Sequence, residues 1–303
     1  MDNRQREELV RLVGEGVLFD CPMDQYTTFR VGGKAEALYE AKDLARLRGL
    51  ITYLGEEHIP YLPVGRGSNL LVKDGGLRGL VILLRGPLAA IEQAETDDST
   101  LMAGGGVSLP DLLAYCRDSG LGGLEFLAGV PGTVGGAVAM NSGAFGYEIG
   151  TRVREIHVIS PRGDLVVRNR SQLQFSYRAL KLEKGAVIVG AIFGLEREGE
   201  GVVGERISDC LRRRKESQPL EYPSAGSVFR NPPDDFAGRL IEEAGLKGKR
   251  IGGAMISHKH ANFIINTGGA KAKDILALLS LAQERVEKET GIKLEPEIRV
   301  VGG

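Results

Sequence analysis

Apolar positions recur at helical spacing over residues 4 to 13, where Leu9, Val10, Leu12 and Val13 gather toward one side. The same spacing predicts a second helix from Asp43 to Leu54, through Leu44, Leu47, Leu50 and Ile51. Short apolar runs at Tyr61–Val64, Leu70–Val72 and Leu80–Leu84 predict strands, and this alternation closes a small α/β unit near residue 85. Strand signals then dominate to about residue 197: Leu101–Ala103, Gly136–Met140, Val153–Ile159, Leu165–Val167 and Ala186–Phe193. One predicted helix, Leu109 to Arg117, interrupts them. The charged, Gly-containing stretch 198–204 predicts a boundary.

The last hundred residues change character. A basic helix is predicted from Glu205 to Glu216, followed by a Pro-containing loop and a helix capped by Asp234 or Asp235. Phe236, Leu240, Ile241 and Ala244 face inward there, with Gly245 as the stop. A helix over Asp274–Glu289 and a strand over Leu294–Val301 complete the pattern.

Composition adds one departure from the ordinary. Hydrophobic residues make up 42% and charged residues 26%, as in a soluble globular protein, but glycine contributes 43 of 303 residues, about twice the usual share. That excess implies many backbone positions with special geometry or close ligand approach. A net charge of −1 gives no reason to expect a nucleic-acid or membrane partner. Cys21, Cys116 and Cys210 are scattered, without CxxC or metal-ligand spacing, which fits a reducing compartment and argues against metal. The N-terminus lacks an apolar signal region and no apolar run approaches membrane-spanning length. The expected location is the cytoplasm.

The glycines concentrate in FLAGVPGTVGGAVAMNSGAFG, residues 126 to 146, with six glycines from Gly129 to Gly146. This stretch is too Gly-rich to predict a stable helix and carries no charge to solvate it as a linker. Its exposed N–H groups suit phosphate oxygens, with a tight packed turn as the alternative. A second loop, Gly65-Arg66-Gly67-Ser68-Asn69, lies between two strand signals, so it fails the strand–turn–helix context of a Rossmann loop, and no Walker A sequence exists. Together the two loops suggest a diphosphate held mainly by backbone amides, with Ser68 and Asn69 adding donors.

Arg206, Arg212, Arg213, Arg214 and Lys215 cluster on one predicted helix. This is either a solvated face or a site for a small anionic ligand. Ser227 follows the flexible Ala225-Gly226 pair without a GxSxG context, and a turn serine is the plain reading. Arg178 reads equally as a surface arginine. Glu295 and Glu297 flank Pro296, a residue suited to an edge strand.

These pieces, in this order, resemble the UDP-N-acetylenolpyruvoylglucosamine reductase family of bacterial peptidoglycan synthesis. The segments that carry the resemblance are Tyr26–Gly33 (YTTFRVGG), Gly65–Asn69, Ala128–Gly136 (AGVPGTVGG), Asn141–Ala144, Ser176–Arg178, Ala225–Pro232 (AGSVFRNP), Ala237–Glu242, His260–Phe263 (HANF) and Leu294–Glu297. They span nearly the whole chain. The resemblance implies an α+β fold of the vanillyl-alcohol-oxidase, or PCMH, type. Two FAD-binding subdomains, 1–85 and 86–200, would have FAD between them, and a substrate domain, 201–291, would follow, with the final strand 292–303 returning to the first. The short passage from Phe175 to Arg206 implies the shorter type that lacks a tyrosine-lid insertion.

The implied activity is two-step: NADPH reduces FAD, and reduced FAD delivers hydride to C3 of UDP-N-acetylglucosamine enolpyruvate, with protonation at C2. The product is UDP-N-acetylmuramate. Carried over residue by residue, the resemblance assigns catalysis to Arg178, Ser227 and Glu297. It assigns the cofactor to Arg66, Gly67, Ser68, Asn69, Val130, Pro131, Gly132, Thr133, Gly135, Gly136, Asn141 and Ala144. Substrate contacts fall to Arg214, Lys215, Asn231 and Arg239. Arg178 and Glu297, the latter protonated or donating through water, would hold the substrate carboxylate as charge builds on it, and Ser227 would supply the proton. FAD is expected to be non-covalent, because neither glycine loop contains His or Cys. A carbohydrate or alcohol oxidase of the same fold, and a non-catalytic nucleotide-sugar-binding module, are the alternatives. A monomer is expected, with a small-molecule UDP-sugar as partner.

Overall fold

A computed structural model describes residues 1–14, 16–93 and 99–303. The chain forms two compact units. The first comprises 1–19, 36–66 and 78–212; the second comprises 20–35, 67–77 and 213–303.

In the first unit, helices α1 (Asn3–Val13) and α2 (Leu44–Glu56) arise where the apolar spacing places them. Asp2 caps α1 through a hydrogen bond accepted from the Gln5 amide (2.8 Å), and Asp43 does the same for α2 through Arg46 (2.7 Å). Their apolar faces bury Leu9, Val13, Leu47, Leu50, Ile51 and Leu54 in one core with Tyr39, Leu80 and Ile82. The sheet beside them has the order Val17–Pro22, Lys34–Ala41, Leu77–Leu84, Tyr61–Pro63. A second core surrounds a five-stranded antiparallel sheet, ordered Leu165–Asn169, Val153–Ile159, Val187–Gly194, Thr100–Gly104, Ile91–Gln93. Against it lie α3 (Leu109–Asp118), capped by Ser108, and α4 (Val134–Ala139).

Two expectations change here. The strand predicted over Gly136–Met140 is α4, because Thr133 accepts a hydrogen bond from Gly136 N and Val134, Ala137 and Val138 are buried. Packing overrides the poor helix propensity of paired glycines. Most of the stretch 198–204 is helical, since α5 (Glu200–Ser217) starts five residues before the predicted helix.

The second unit builds its core on an antiparallel sheet ordered Ser224–Ser227, Phe263–Asn266, Ala254–Ile256, Arg250–Ile251, with α6 (Ala237–Glu243) and α7 (Ala272–Thr290). Asp74 caps α7 from far away in sequence, accepting from Ala272 N (2.9 Å) and Lys273 N (3.0 Å). No aspartate caps α6. Asp234 takes a left-handed conformation (φ 60) and Asp235 accepts from Phe236 N, so the N1 amide of Ala237 donates to Asn231 instead (3.1 Å). The strand predicted over Leu294–Val301 shortens to Arg299–Val301, paired in parallel with Leu70–Val72. Residues 294–298 follow a different course, described below. Among the described residues, no helix is long and apolar enough to cross a membrane, and no group of His, Cys, Asp and Glu could hold a metal ion.

Candidate active site

The first unit joins the glycine segment to part of the second loop. A side chain at Gly65 would meet Thr133 Oγ1 at 2.4 Å, so only glycine lets the two segments touch. Val134 N and Gly135 N donate to Val107 O and Gly105 O, each at 2.9 Å. Those amides serve the fold, which narrows the expectation that the segment receives phosphate through its backbone. Pro131 and Gly136 are exposed, and a Cβ on Gly136 would meet only Thr133 Oγ1, at 3.6 Å.

The later half of the segment has a different task. Asn141 is fully buried with a positive φ of 41, and its carboxamide is spent inside the protein. Its Nδ2 donates to Glu148 Oε2 (2.7 Å) and Ser176 O (3.0 Å), and its Oδ1 accepts from Gly150 N (3.0 Å). Ala144 lies in the short antiparallel pair with Tyr147. The bond to Ser176 reaches the hairpin where Phe175–Ser176 pairs with Ala179–Leu180. Arg178 sits at the tip of that hairpin with φ 59, a conformation costly for a non-glycine residue. Its Nη1 donates to Gly143 O at 2.8 Å, and its guanidinium lies 5.3 Å from the Tyr177 ring centroid. Asn141 and Gly143 thus fix the arginine from within the glycine segment.

In the second unit, Gly67 (φ 62) presses on the Tyr26–Thr28 turn. A Cβ there would lie 2.2 Å from Tyr26 O, and Thr28 N donates to Gly67 O at 3.4 Å. Thr28 Oγ1 beside this loop is buried and has no hydrogen-bond partner among the described residues. A donor left waiting at a glycine turn suits a polar ligand. Each unit by itself thus offers a feature that suits a phosphate-bearing cofactor such as FAD: the open side of Gly136 in the first, the waiting Thr28 hydroxyl in the second. Ser68 is half-buried and Arg66 is exposed. Asn69 is engaged within the protein: its Nδ2 donates to Glu297 O (3.1 Å), and its own carbonyl accepts from Arg299 N (2.9 Å).

Ser227 and Glu297 come onto neighbouring backbone segments of this unit. Ser227 ends the strand that pairs with Phe263, after Gly226 at φ 72. The chain then leaves that ladder and pairs with 295–297: Glu297 N donates to Val228 O (2.8 Å), Arg230 N to Glu295 O (2.9 Å), and Phe229 bridges Pro296. Pro296 fits because an isolated bridge does not need its missing N–H.

The basic cluster proves heterogeneous. Arg206 pairs with Glu198 (2.5 Å) and Glu125 (3.5 Å), and Arg212 pairs with Asp209. Arg214 is only 7% exposed and donates to Gln218 Oε1 at 3.5 Å. Lys215 is exposed, and its carbonyl accepts from Lys259 Nζ (2.5 Å). Arg239 is held by Asp235 and Glu243, pairs that push its pKa up and hold the Asp235 carboxyl below its usual range.

Three residues that carry weight in these sites went unread as individuals in the sequence. Thr28 and Asn262 lie within motifs but had no task; Asn262 pairs its carboxamide with both polar groups of the Phe229 backbone. Arg230 is the third, with a buried Nε lacking a hydrogen-bond partner among the described residues. Spacing carries no signal for any of them.

The fold defines a class first: residues 35–168 match the family model described as "FAD binding domain", and the fold is the α+β flavoprotein type. A p-cresol methylhydroxylase crystal structure shares that fold with TM-score 0.58 at 12% identity, covering 95% of this chain and 87% of that one. Residues 218–301 match "UDP-N-acetylenolpyruvoylglucosamine reductase, C-terminal domain". The reductase of Geobacter metallireducens is 46% identical, covering 94% of each chain. That of Syntrophus aciditrophicus is 45% identical, over 98% of this chain and 96% of its own. The crystal structure of the Thermus caldophilus reductase aligns with TM-score 0.81 at 36% identity, over 94% of this chain and 98% of that one. The chain belongs to the UDP-N-acetylenolpyruvoylglucosamine reductase family.

Proposed function

We propose that this chain is the flavoenzyme that reduces UDP-N-acetylglucosamine enolpyruvate to UDP-N-acetylmuramate for peptidoglycan synthesis, with NADPH as reductant. The observation that carries the reading is the pairing of the Ser227 and Glu297 segments, in a chain that matches the family from end to end. FAD, when bound, supplies hydride transfer. Arg66, Gly67, Ser68, Val130 to Thr133, Gly135 and Gly136 would line it, while Asn69, Asn141 and Ala144 would act by holding the segments that carry them.

The protein's own work is to bind and orient the enolpyruvyl group and to place a proton. Arg178 holds the substrate carboxylate, where charge develops during reduction, and a fixed guanidinium there costs no reorganisation. Glu297 shares that carboxylate, by its own proton or through a water. Ser227 Oγ gives its proton to C2. Arg214, Lys215 and Asn231 take the diphosphate; Asn231 has already committed Oδ1 to Ala237 N and keeps Nδ2 for the ligand. Arg239 contributes at the edge of that site, its charge balanced by Asp235 and Glu243.

We divide the chain into FAD-binding subdomains 1–85 and 86–200 and a substrate domain over 201–291; the first unit's two cores, one drawn mainly from residues 9–84 and the other from 101–195, support the boundary near residue 85. We place the enzyme in the cytoplasm as a monomer, in keeping with its scattered free cysteines. The visible spectrum of the purified protein tests this reading. Flavin bands that acid precipitation releases into the supernatant are expected; no bands even after adding FAD would overturn it.

A further inference from the structure

Ser227 sits where its sheet fails. Its strand pairs with Phe263–Asn266 at Ser224 and at Ser227, with a register break between them, and Gly226 lies in the left-handed region with open space where a side chain would go. Beyond Ser227 the partner strand Phe263–Asn266 has ended. Val228 N donates to Asn262 O (2.9 Å), and at Phe229 a side chain takes over from backbone. Asn262 Oδ1 accepts from Phe229 N (2.9 Å) while Asn262 Nδ2 donates to Phe229 O (2.8 Å). A carboxamide has the same donor and acceptor as a peptide group, so it extends the ladder by one residue. Its cost of burial is met, since Asn262 is 3% exposed and both of its polar atoms are bonded.

We propose that Asn262 is a positioning residue for the reaction: its carboxamide fixes the backbone that carries Ser227 and thereby aims the hydroxyl that protonates the substrate. The proposal rests on the role given to Ser227 above. The segment 228–230 is gripped on two sides, by Asn262 and by 295–297. Replacing the carboxamide by an apolar group leaves Phe229 N–H and C=O without partners and frees the segment on one side only. The link to 295–297 survives, so Glu297 keeps its neighbour while Ser227 loses its aim. Displacement of a reacting group by about 1 Å is enough to cost about a hundredfold in rate.

The test uses the FAD-loaded protein and four forms: wild type, Asn262→Leu, Ser227→Ala and the double variant. Flavin bleaching by NADPH, reoxidation by the enolpyruvyl substrate, equilibrium binding of that substrate to oxidised enzyme and the unfolding midpoint are measured on each. Asn262→Leu is expected to bleach at the wild-type rate, to bind substrate within about threefold, and to reoxidise about 10- to 100-fold more slowly. In the Ser227→Ala background it should cost almost nothing further, because the group it aims is gone. Losses that multiply in the double variant, equal losses in both half-reactions, or unchanged reoxidation would each overturn the proposal. If Asn262→Leu does not fold, Asn262→Asp, which keeps the acceptor and removes the donor to Phe229 O, is put through the same cycle. A Ser227→Ala enzyme that reoxidises normally defeats the Ser227 assignment itself; slow Ser227→Ala beside normal Asn262→Leu defeats only this inference.

Discussion

Arg178 and the Ser227–Glu297 pair are held in opposite ways. Arg178 stands at a hairpin tip in a strained conformation, anchored by side-chain bonds from a distant glycine segment through Asn141 and Gly143. Ser227 and Glu297 ride on backbone segments tied to each other and to their neighbours by backbone hydrogen bonds, with Asn262 and Asn69 adding side-chain bonds where the strands run out. A tip held by a few side chains is adjustable, and loosening one anchor leaves the surrounding sheet intact. A ladder is stiff, and its errors propagate to whatever it carries. A guanidinium that must grip a carboxylate tolerates some play, whereas a hydroxyl that hands over a proton needs fixed geometry.

The sharpest way to break this comparison is Ser227→Ala, which leaves the ladder untouched. NADPH should still bleach the flavin, while reoxidation by the enolpyruvyl substrate slows about 10²- to 10⁴-fold, the range of general acid catalysis. Equal loss in both half-reactions would remove Ser227 from its role.

Next comes the anchor of the arginine. Asn141→Leu removes the partner of the half-buried Glu148 carboxylate, of Ser176 O and of the buried Gly150 N, and leaves an apolar side chain at a fully buried position. Destabilisation by about 2–4 kcal/mol is expected in urea unfolding, with weaker substrate binding as the Arg178 hairpin loosens. A variant as stable as wild type would show that the carboxamide does not organise the segment. Gly67→Ala is expected to cost about 1–3 kcal/mol, because alanine must hold φ 62 against Tyr26 O. Flavin content of the purified protein should fall with it; full occupancy at unchanged stability would contradict the packing described.

A smaller effect is a pH dependence at the ladder. Burial pushes the His260 pKa below its ordinary 6.5, and Asn262 N donates to His260 Nδ1 at 3.2 Å. Above about pH 6.5 the ring is neutral in folded and unfolded chains alike, and its contribution to stability is fully present. As pH falls from there toward the lower folded pKa, the unfolded chain takes up the proton first and stability declines. His260→Gln should flatten that decline in unfolding midpoints measured from pH 7.5 to 5.5; an unchanged slope assigns it to other groups. The smallest change expected is Arg239→Gln. Its pairs with Asp235 and Glu243 are solvent-screened and contribute little to stability, and KM for the UDP-sugar should move little. A tenfold rise in KM would mean that the arginine leaves its carboxylates for substrate.

Much of this organisation is legible in the sequence. Helices α1, α2, α3 and α7 follow apolar spacing, the first three with local caps, and the Ser176–Arg178, AGSVFRNP and LEPE segments supply the residues to which the proposed function gives its chemistry. What stayed hidden has physical reasons. Paired glycines at 135 and 136 speak against α4, and only burial of Val134, Ala137 and Val138 outweighs them. Asp235 looks like a cap for α6, yet Asn231 takes that task from across a turn. The bonds from Asn262 to Phe229 and from Asn69 to Glu297 span 33 and 228 residues. No local pattern announces a carboxamide that will stand in for a strand.

The most direct test of the account follows the flavin of the intact enzyme through both halves of its cycle without oxygen. NADPH should bleach the flavin absorption in one equivalent, and UDP-N-acetylglucosamine enolpyruvate should then restore it while UDP-N-acetylmuramate forms in equal amount. Bleached flavin that the enolpyruvyl substrate leaves unoxidised would contradict the account.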